Sequence, residues 1–142
     1  MRQRPSLAPF IALLVALAFL ALGCHDTPPD LTPDAQIAFQ ATRVVKVLDV
    51  VRDAAIAAND LTPPIITTAD TRTVVLWHKT SVQVIQVTPG GWKPTVLASI
   101  YVLTCHPGAG TTQPCTPQLP PAAVARLYPY VGLALVVIAE VK

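Results

Sequence analysis

Between residues 34 and 58 the apolar side chains recur at helical spacing, and this run dictates what the rest of the chain must do. Ile37, Ala41, Val44, Val45, Leu48, Val51, Ala55 and Ile56 fall on one face of a 3.6-residue wheel, with Arg43, Lys46, Asp49 and Asp53 opposite. A strand is excluded because Val44-Val45 and Val50-Val51 would point to both sides of a sheet. Thr32 is placed to cap the helix, Pro33 takes its first position and Asp34 lies in its first turn. Asn59-Asp60-Leu61-Thr62-Pro63-Pro64 ends it. A helix with one such face needs other apolar faces to cover it, and the remaining segments must supply them.

Residues 68–88 carry Val74, Val75, Trp77, Val82, Val84 and Ile85 on a broad helical face, with Asp70 or Thr68 as the cap. The segment is rich in β-branched residues, so two strands at 73–78 and 82–88 are the alternative, within an α+β fold. No turn residue interrupts 70–87, and a strand of about eighteen residues would be unusually long, which favours the helix. Pro89-Gly90-Gly91 breaks the chain, and Trp92, Val96, Ile100 and Leu103 then form the next helical stripe, with Pro94 in its first turn. Pro120-Pro121 opens a last apolar segment in which Pro129 predicts either a kink or two helices, 121–128 and 130–141. The fold class expected is all-α, a small antiparallel bundle of about four amphipathic helices over 34–142, following an N-terminal signal helix. The repeated Asp-Leu-Thr-Pro at 30–33 and 60–63 has unlike flanks and reads as boundary punctuation, not as a structural repeat.

The N-terminus has a different character. Arg2 and Arg4 precede a run without charge from Leu7 to Leu22, and after Gly23-Cys24 the chain turns polar at His25-Asp26-Thr27-Pro28-Pro29-Asp30. Basic head, short apolar middle and small-residue boundary describe a secretory signal peptide over residues 1–23. Residues 24–33 form a Pro-rich tether, in which 25–33 hold three prolines and reach about 25 Å at about 3 Å per residue. Leu20-Ala21-Leu22-Gly23-Cys24 resembles the lipobox of bacterial lipoproteins, although Ala21 stands where leucine is commoner. The resemblance covers residues 1–24 alone. It implies cleavage between Gly23 and Cys24, diacylation of the Cys24 sulfur, and membrane attachment through those acyl chains. In Gram-negative lipoproteins an aspartate after the cysteine favours inner-membrane retention, so His25 implies the periplasmic face of the outer membrane.

Loss of residues 1–23 removes Arg2 and Arg4, so eight of ten basic side chains remain against eight acidic ones. A neutral body lacks the basic footprint that nucleic acid requires. With Cys24 acylated, Cys105 and Cys115 are left as an even pair in an exported protein, where disulfides persist. Closing that Gly- and Pro-rich loop stabilises a domain by about 2–3 kcal/mol. The rival use is a metal site from Cys105, His106 and Cys115, which lacks a fourth ligand at recognisable spacing.

Catalytic patterns are sparse. There is no G-x-G-x-x-G, Walker, H-E-x-x-H or G-x-S-x-G sequence, and Glu140 is the single glutamate. Asp49 and Asp53, with Lys46 and Arg52 nearby, read as a solvated charged face. His78 and Ser81 are three apart, the germ of a nucleophile–base pair, yet no acidic residue lies one helical turn from His78 to orient it. Trp77 and Trp92 flank the Pro-Gly-Gly turn, where they either pack the hairpin or make a partner contact. No catalytic residue, metal or cofactor is assigned. The expectation is a lipid-anchored extracytoplasmic protein, not an enzyme, with a structural or protein-interaction role toward an envelope protein. The alternative is a phage-encoded lipoprotein acting in host lysis or superinfection exclusion. An exported hydrolase is a third possibility, requiring His78 to meet a carboxylate from another helix in a pocket.

Overall fold

The first helix, α1, runs from Pro33 to Asn59, as its periodicity and its start signals require. The computed structural model describes residues 31–110 and 114–141; the expected signal helix, its cleavage site at Gly23-Cys24 and most of the tether lie outside them. Residues 31–36 belong to one unit and Ile37–Lys142 to a second, compact one. In the first, the Thr32 hydroxyl accepts from the Ala35 amide at 3.3 Å and the Thr32 carbonyl accepts from Gln36 at 2.9 Å, which satisfies donors that a helix start leaves open. In the second, the buried stripe of α1 is Val44, Leu48, Val51, Ala55 and Ala58, a regular four-three spacing. Ile37 and Ile56, expected on that face, are 37% and 38% exposed, because the seam follows the narrower heptad track instead of the full apolar arc.

The second helix, α2, spans Thr68–Val87, so the segment is helical and the two-strand alternative is set aside. Its cap is Thr67, neither Thr68 nor Asp70. The Thr67 hydroxyl accepts from the Asp70 amide at 3.1 Å and donates to the Asp70 carboxylate at 2.7 Å. This reciprocal cap favours helix over the β-branched residues' preference for strand. Between α1 and α2, Asn59 Nδ2 donates to the Ile66 carbonyl at 2.9 Å and to the Thr68 hydroxyl at 3.3 Å, and Ile66 is buried beneath the turn.

Helix α3 is Lys93–Thr104, with Pro94 in its first turn, where a missing amide donor removes no helical bond. It ends at Cys105, whose φ of 56° places it in the left-handed region. A short 3-10 turn, Pro107–Ala109, follows. The chain then returns beside α3: the amides of Gln118 and Leu119 donate to the carbonyls of Val102 and Leu103, two groups that the helix end leaves without partners. Helix α4 runs without interruption from Pro121 to Ala139, through Pro129. The expected division into two helices does not occur. Pro129 and Ala125 are both exposed, so the Ala125 carbonyl that lacks an amide partner lies on the solvent side.

The described residues form an all-α bundle of four helices, with no strand among them. The contacts fix an antiparallel order. Asn59 meets Thr68 and Asp49 meets His78 across α1 and α2, Trp77 meets Ser99 across α2 and α3, and Lys93 meets Val141 while Val102 meets Gln118 along α3 and α4. An Arg43–Glu140 ion pair at 3.0 Å joins α1 to the residue that ends α4. By length and composition α4 is apolar enough to cross a membrane. In the bundle it buries Ala123, Leu127, Val131, Ala134, Leu135 and Ile138 against the other helices. Each fully buried leucine or isoleucine, such as Leu48, Ile85, Ile100, Leu103 and Leu127, contributes about 1.5–3 kcal/mol.

Candidate functional site

The core seam of α2 is Val74, Trp77, His78, Ser81 and Ile85, so two polar side chains sit where apolar ones would close the bundle. Each has a partner from a neighbouring helix. His78 is 8% exposed, and its Nε2 lies 2.6 Å from Asp49 Oδ1 on α1. Asp49 also receives Arg52 Nη1 at 3.3 Å, and Arg52 Nε donates to Asp53 at 2.9 Å. The hydrogen bond to Asp53, reinforced by the charges of both aspartates, raises the Arg52 pKa, so the guanidinium stays charged beside them. The charged face expected on α1 is therefore turned partly inward at Asp49.

An imidazole held by a carboxylate is one half of an acyl-transfer triad, and the carboxylate does come from another helix. The second half differs. Ser81 Oγ pairs with Ser99 Oγ of α3 at 3.4 Å, and Ser81 lines a groove whose walls do not include His78. With Nε2 turned to Asp49, the imidazole joins α1 to α2 and does not present that nitrogen to the Ser81 hydroxyl.

The groove lies between α2 and α3 and encloses about 500 Å³. Its floor is a closed hydrogen-bond chain: Trp77 Nε1 donates to Ser99 Oγ at 3.0 Å, and Ser99 donates to the Val96 carbonyl at 2.7 Å. Leu76 and Val102, 58% and 49% exposed, stand on its walls. The two tryptophans are thus placed differently. Trp77 is buried with part of its surface on the groove, whereas Trp92 is 3% exposed, belongs to the core and is not part of the groove lining.

Cys105 and Cys115 form a disulfide with their Cα atoms 5.8 Å apart. That bond overturns the metal-site alternative, because both thiols are joined to each other. Among the described residues no group of three His, Cys, Asp or Glu side chains is arranged to hold a metal ion. His106 is fixed otherwise: its Nδ1 accepts from the Gly108 amide at 3.0 Å, and its ring stacks on Tyr128 of α4 at 4.3 Å. A Cβ on Gly132 would stand 3.6 Å from His106 Nε2, an ordinary van der Waals contact, so the ring lies close against α4 at this position.

Burial lowers the His106 pKa from its ordinary 6.5. The unfolded chain then binds more protons than the folded one in the window below 6.5, so acid favours unfolding. We expect the contribution of His106 to be complete above that value and to decline as pH falls toward the depressed folded pKa. Urea unfolding across this window checks it. His106→Asn, which keeps an acceptor for the Gly108 amide without titrating, should flatten the dependence.

Two of these arrangements were hidden from sequence reasoning. The Asp49–His78 pair spans 29 positions and two helices, and the His106–Tyr128 stack joins a loop to a helix. The available signal for the first was a histidine at a core position of the α2 wheel, which demands a polar partner but does not name it. Cys24 and Gly23 lie outside the described residues. Comparison with protein-family models, with curated proteins and with solved structures finds no match.

Proposed function

We propose that this chain is a lipid-anchored extracytoplasmic protein with a structural or protein-interaction role in the cell envelope. The reading rests on Leu20-Ala21-Leu22-Gly23-Cys24, placed directly after an apolar run without charge and before an abrupt polar boundary. In it Cys24 carries the acyl chains, the residues between it and α1 form the tether, and the helical bundle is held at the periplasmic face of the outer membrane of a Gram-negative host. The Cys105–Cys115 disulfide supports an oxidising compartment and leaves Cys24 as the odd cysteine, as acylation requires. The groove between α2 and α3, with its exposed Leu76 and Val102, supports interaction over catalysis, since His78 is engaged with Asp49.

The test is the intact mass of the membrane-extracted protein, with and without thiol reduction. The expected mass is that of residues 24–142 plus acyl chains, gaining two hydrogens on reduction. Cys24→Ala should abolish acylation and processing together. An unprocessed mass would make residues 7–22 a retained membrane helix, and a soluble mass without acyl groups would leave a freely diffusing exported domain. Either result overturns the anchor.

A further inference from the structure

The Pro107–Ala109 turn and α4 meet through the ring of His106. Its Nδ1 accepts from the Gly108 amide at 3.0 Å, and its face stacks on Tyr128 with the ring centroids 4.3 Å apart. The imidazole thus touches the turn along one edge and α4 across one face. A Cβ on Gly108 would stand 3.1 Å from both His106 Nδ1 and Leu135 Cδ1, closer than ordinary contact, so the turn lies flush against α4. Ala109 and Leu135 are both buried where turn and helix pack together.

We propose that His106 is an acid-released clasp, which holds the Pro107–Ala109 turn on α4 while neutral and lets it go when protonated. The reason lies in the donors. A ring nitrogen that accepts from an amide carries no proton, so the neutral ring keeps its proton on Nε2. In the imidazolium both nitrogens donate, and an Nδ1–H would then face the Gly108 N–H. Turning the ring over puts a carbon in that place, so no orientation of the charged ring restores the bond.

The helices packed against the turn, α3 and α4, offer the charged ring no carboxylate, because the sequence has no Asp or Glu between Asp70 and Glu140. On α4 the titratable groups are Tyr128, in the stack, and Arg126 and Tyr130, each about 200° from it round the helix. On α3 they are Tyr101 and Lys93, and Lys93 donates to the Val141 carbonyl at 2.7 Å. Cys105, which ends α3, is held in the disulfide. The more distant carboxylates are engaged: Asp49 and Asp53 with Arg52, Asp70 with Thr67, Glu140 with Arg43. Burial lowers the His106 pKa, the direction a ring without an anionic neighbour takes. The Tyr128 face opposes release, since it attracts a cation by a factor of about two to five.

Release is confined to the turn, because the chain on either side of it is held by other bonds. Cys105 is joined to Cys115, and the Gln118 and Leu119 amides stay on the Val102 and Leu103 carbonyls. What opens is the contact between the turn and α4. Acid therefore bares Ala109 and Leu135 beside the exposed ring of Tyr128, and creates apolar surface that neutral pH keeps covered. This device goes beyond the lipid anchor and does not depend on it.

The experiment is amide hydrogen exchange of the full chain in detergent micelles, read by NMR from about pH 7.5 to about pH 5 and corrected for intrinsic rates. The Gly108, Ala109 and Gly110 amides, bonded to His106 Nδ1 and to the His106 and Pro107 carbonyls, should lose protection by about tenfold. The Gln118 and Leu119 amides, and those of α1 and α2 around Asp49 and His78, should keep theirs. That contrast separates the clasp from titration of His78 and from global unfolding. His106→Asn, whose side-chain oxygen accepts from Gly108 at any pH, should hold its neutral-pH protection throughout. The ring nitrogen shifts of wild-type His106 give a second reading, with Nδ1 unprotonated at neutral pH and a pKa below 6.5. Protection at 108–110 that is flat with pH, or lost together with that of the helices, would overturn the proposal. So would an Asn variant that opens in acid as the wild type does, or a His106 pKa at or above 6.5.

Discussion

Pro129→Ala should stabilise the protein by about 1–3 kcal/mol, an unusually large gain for one exposed side chain. Pro129 lies inside the continuous helix Pro121–Ala139, where it has no amide hydrogen to donate to the carbonyl four residues earlier. A proline in a helix interior lies about 3 kcal/mol above alanine. Part of that penalty is relieved here because Ala125 and Pro129 both face solvent, where water reaches the unpaired carbonyl. Alanine restores the helical bond and touches none of the buried stripe, which runs through Leu127 and Val131 on the other side. Urea unfolding followed by helical circular dichroism gives the difference directly. A variant no more stable than the wild type would show that the proline holds a bend that the core requires, and that the surrounding packing offsets the missing bond.

Asp49→Ala is the second large effect, a loss of about 1–3 kcal/mol, and its size depends on which partner is removed. Without Asp49, the buried His78 ring keeps a polar nitrogen that has lost its 2.6 Å partner and has little access to water. Asp49→Asn should cost less, because the amide oxygen still accepts from the imidazole. His78→Leu should lie close to neutral. Its neighbours on the seam, Val74 and Ile85, are apolar, and the Asp49 side chain is 37% exposed and keeps Arg52. The double variant Asp49→Ala with His78→Leu should then be more stable than Asp49→Ala alone. Equal losses from the two single variants would instead mean that the carboxylate itself is stranded when the imidazole is removed. The asymmetry separates a clasp that specifies how α1 and α2 meet from one that merely adds stability.

Much of the architecture is legible residue by residue. The expected start and end of the first helix coincide with Pro33–Asn59, since Thr32, Pro33 and the Asn59–Pro64 turn act locally and leave little choice. The second segment is ambiguous in sequence because the seven β-branched residues of 74–87 suit either element; the Thr67–Asp70 cap, one position before the expected Thr68, favours the helix. Pro129 pointed to a break and the helix continues, because tertiary packing of Leu127, Val131 and Leu135 outweighs one absent hydrogen bond. Ile37 and Ile56 belong to the apolar arc and yet remain exposed, because a wheel shows which residues share a face but not how wide the neighbouring helix is.

The candidate site was legible only in part. Counting cysteines pairs Cys105 with Cys115, and the disulfide follows from a short loop that brings the two residues together. Both tryptophans belong to the core, but Trp77 also borders the groove, where its partner is Ser99, and Trp92 does not. Caps, prolines and apolar spacing act within a few residues, so they mark the first helix and the punctuation along the chain, while residues 68–88 and the segment around Pro129 stay open to more than one element. Packing between helices, by contrast, is what brings Asp49 to His78, lays His106 on Tyr128, and sets Leu76 and Val102 at one end of a groove. Those outcomes depend on the rotation and register of one helix against another, which arise from packing whole faces together and leave no mark at any single position.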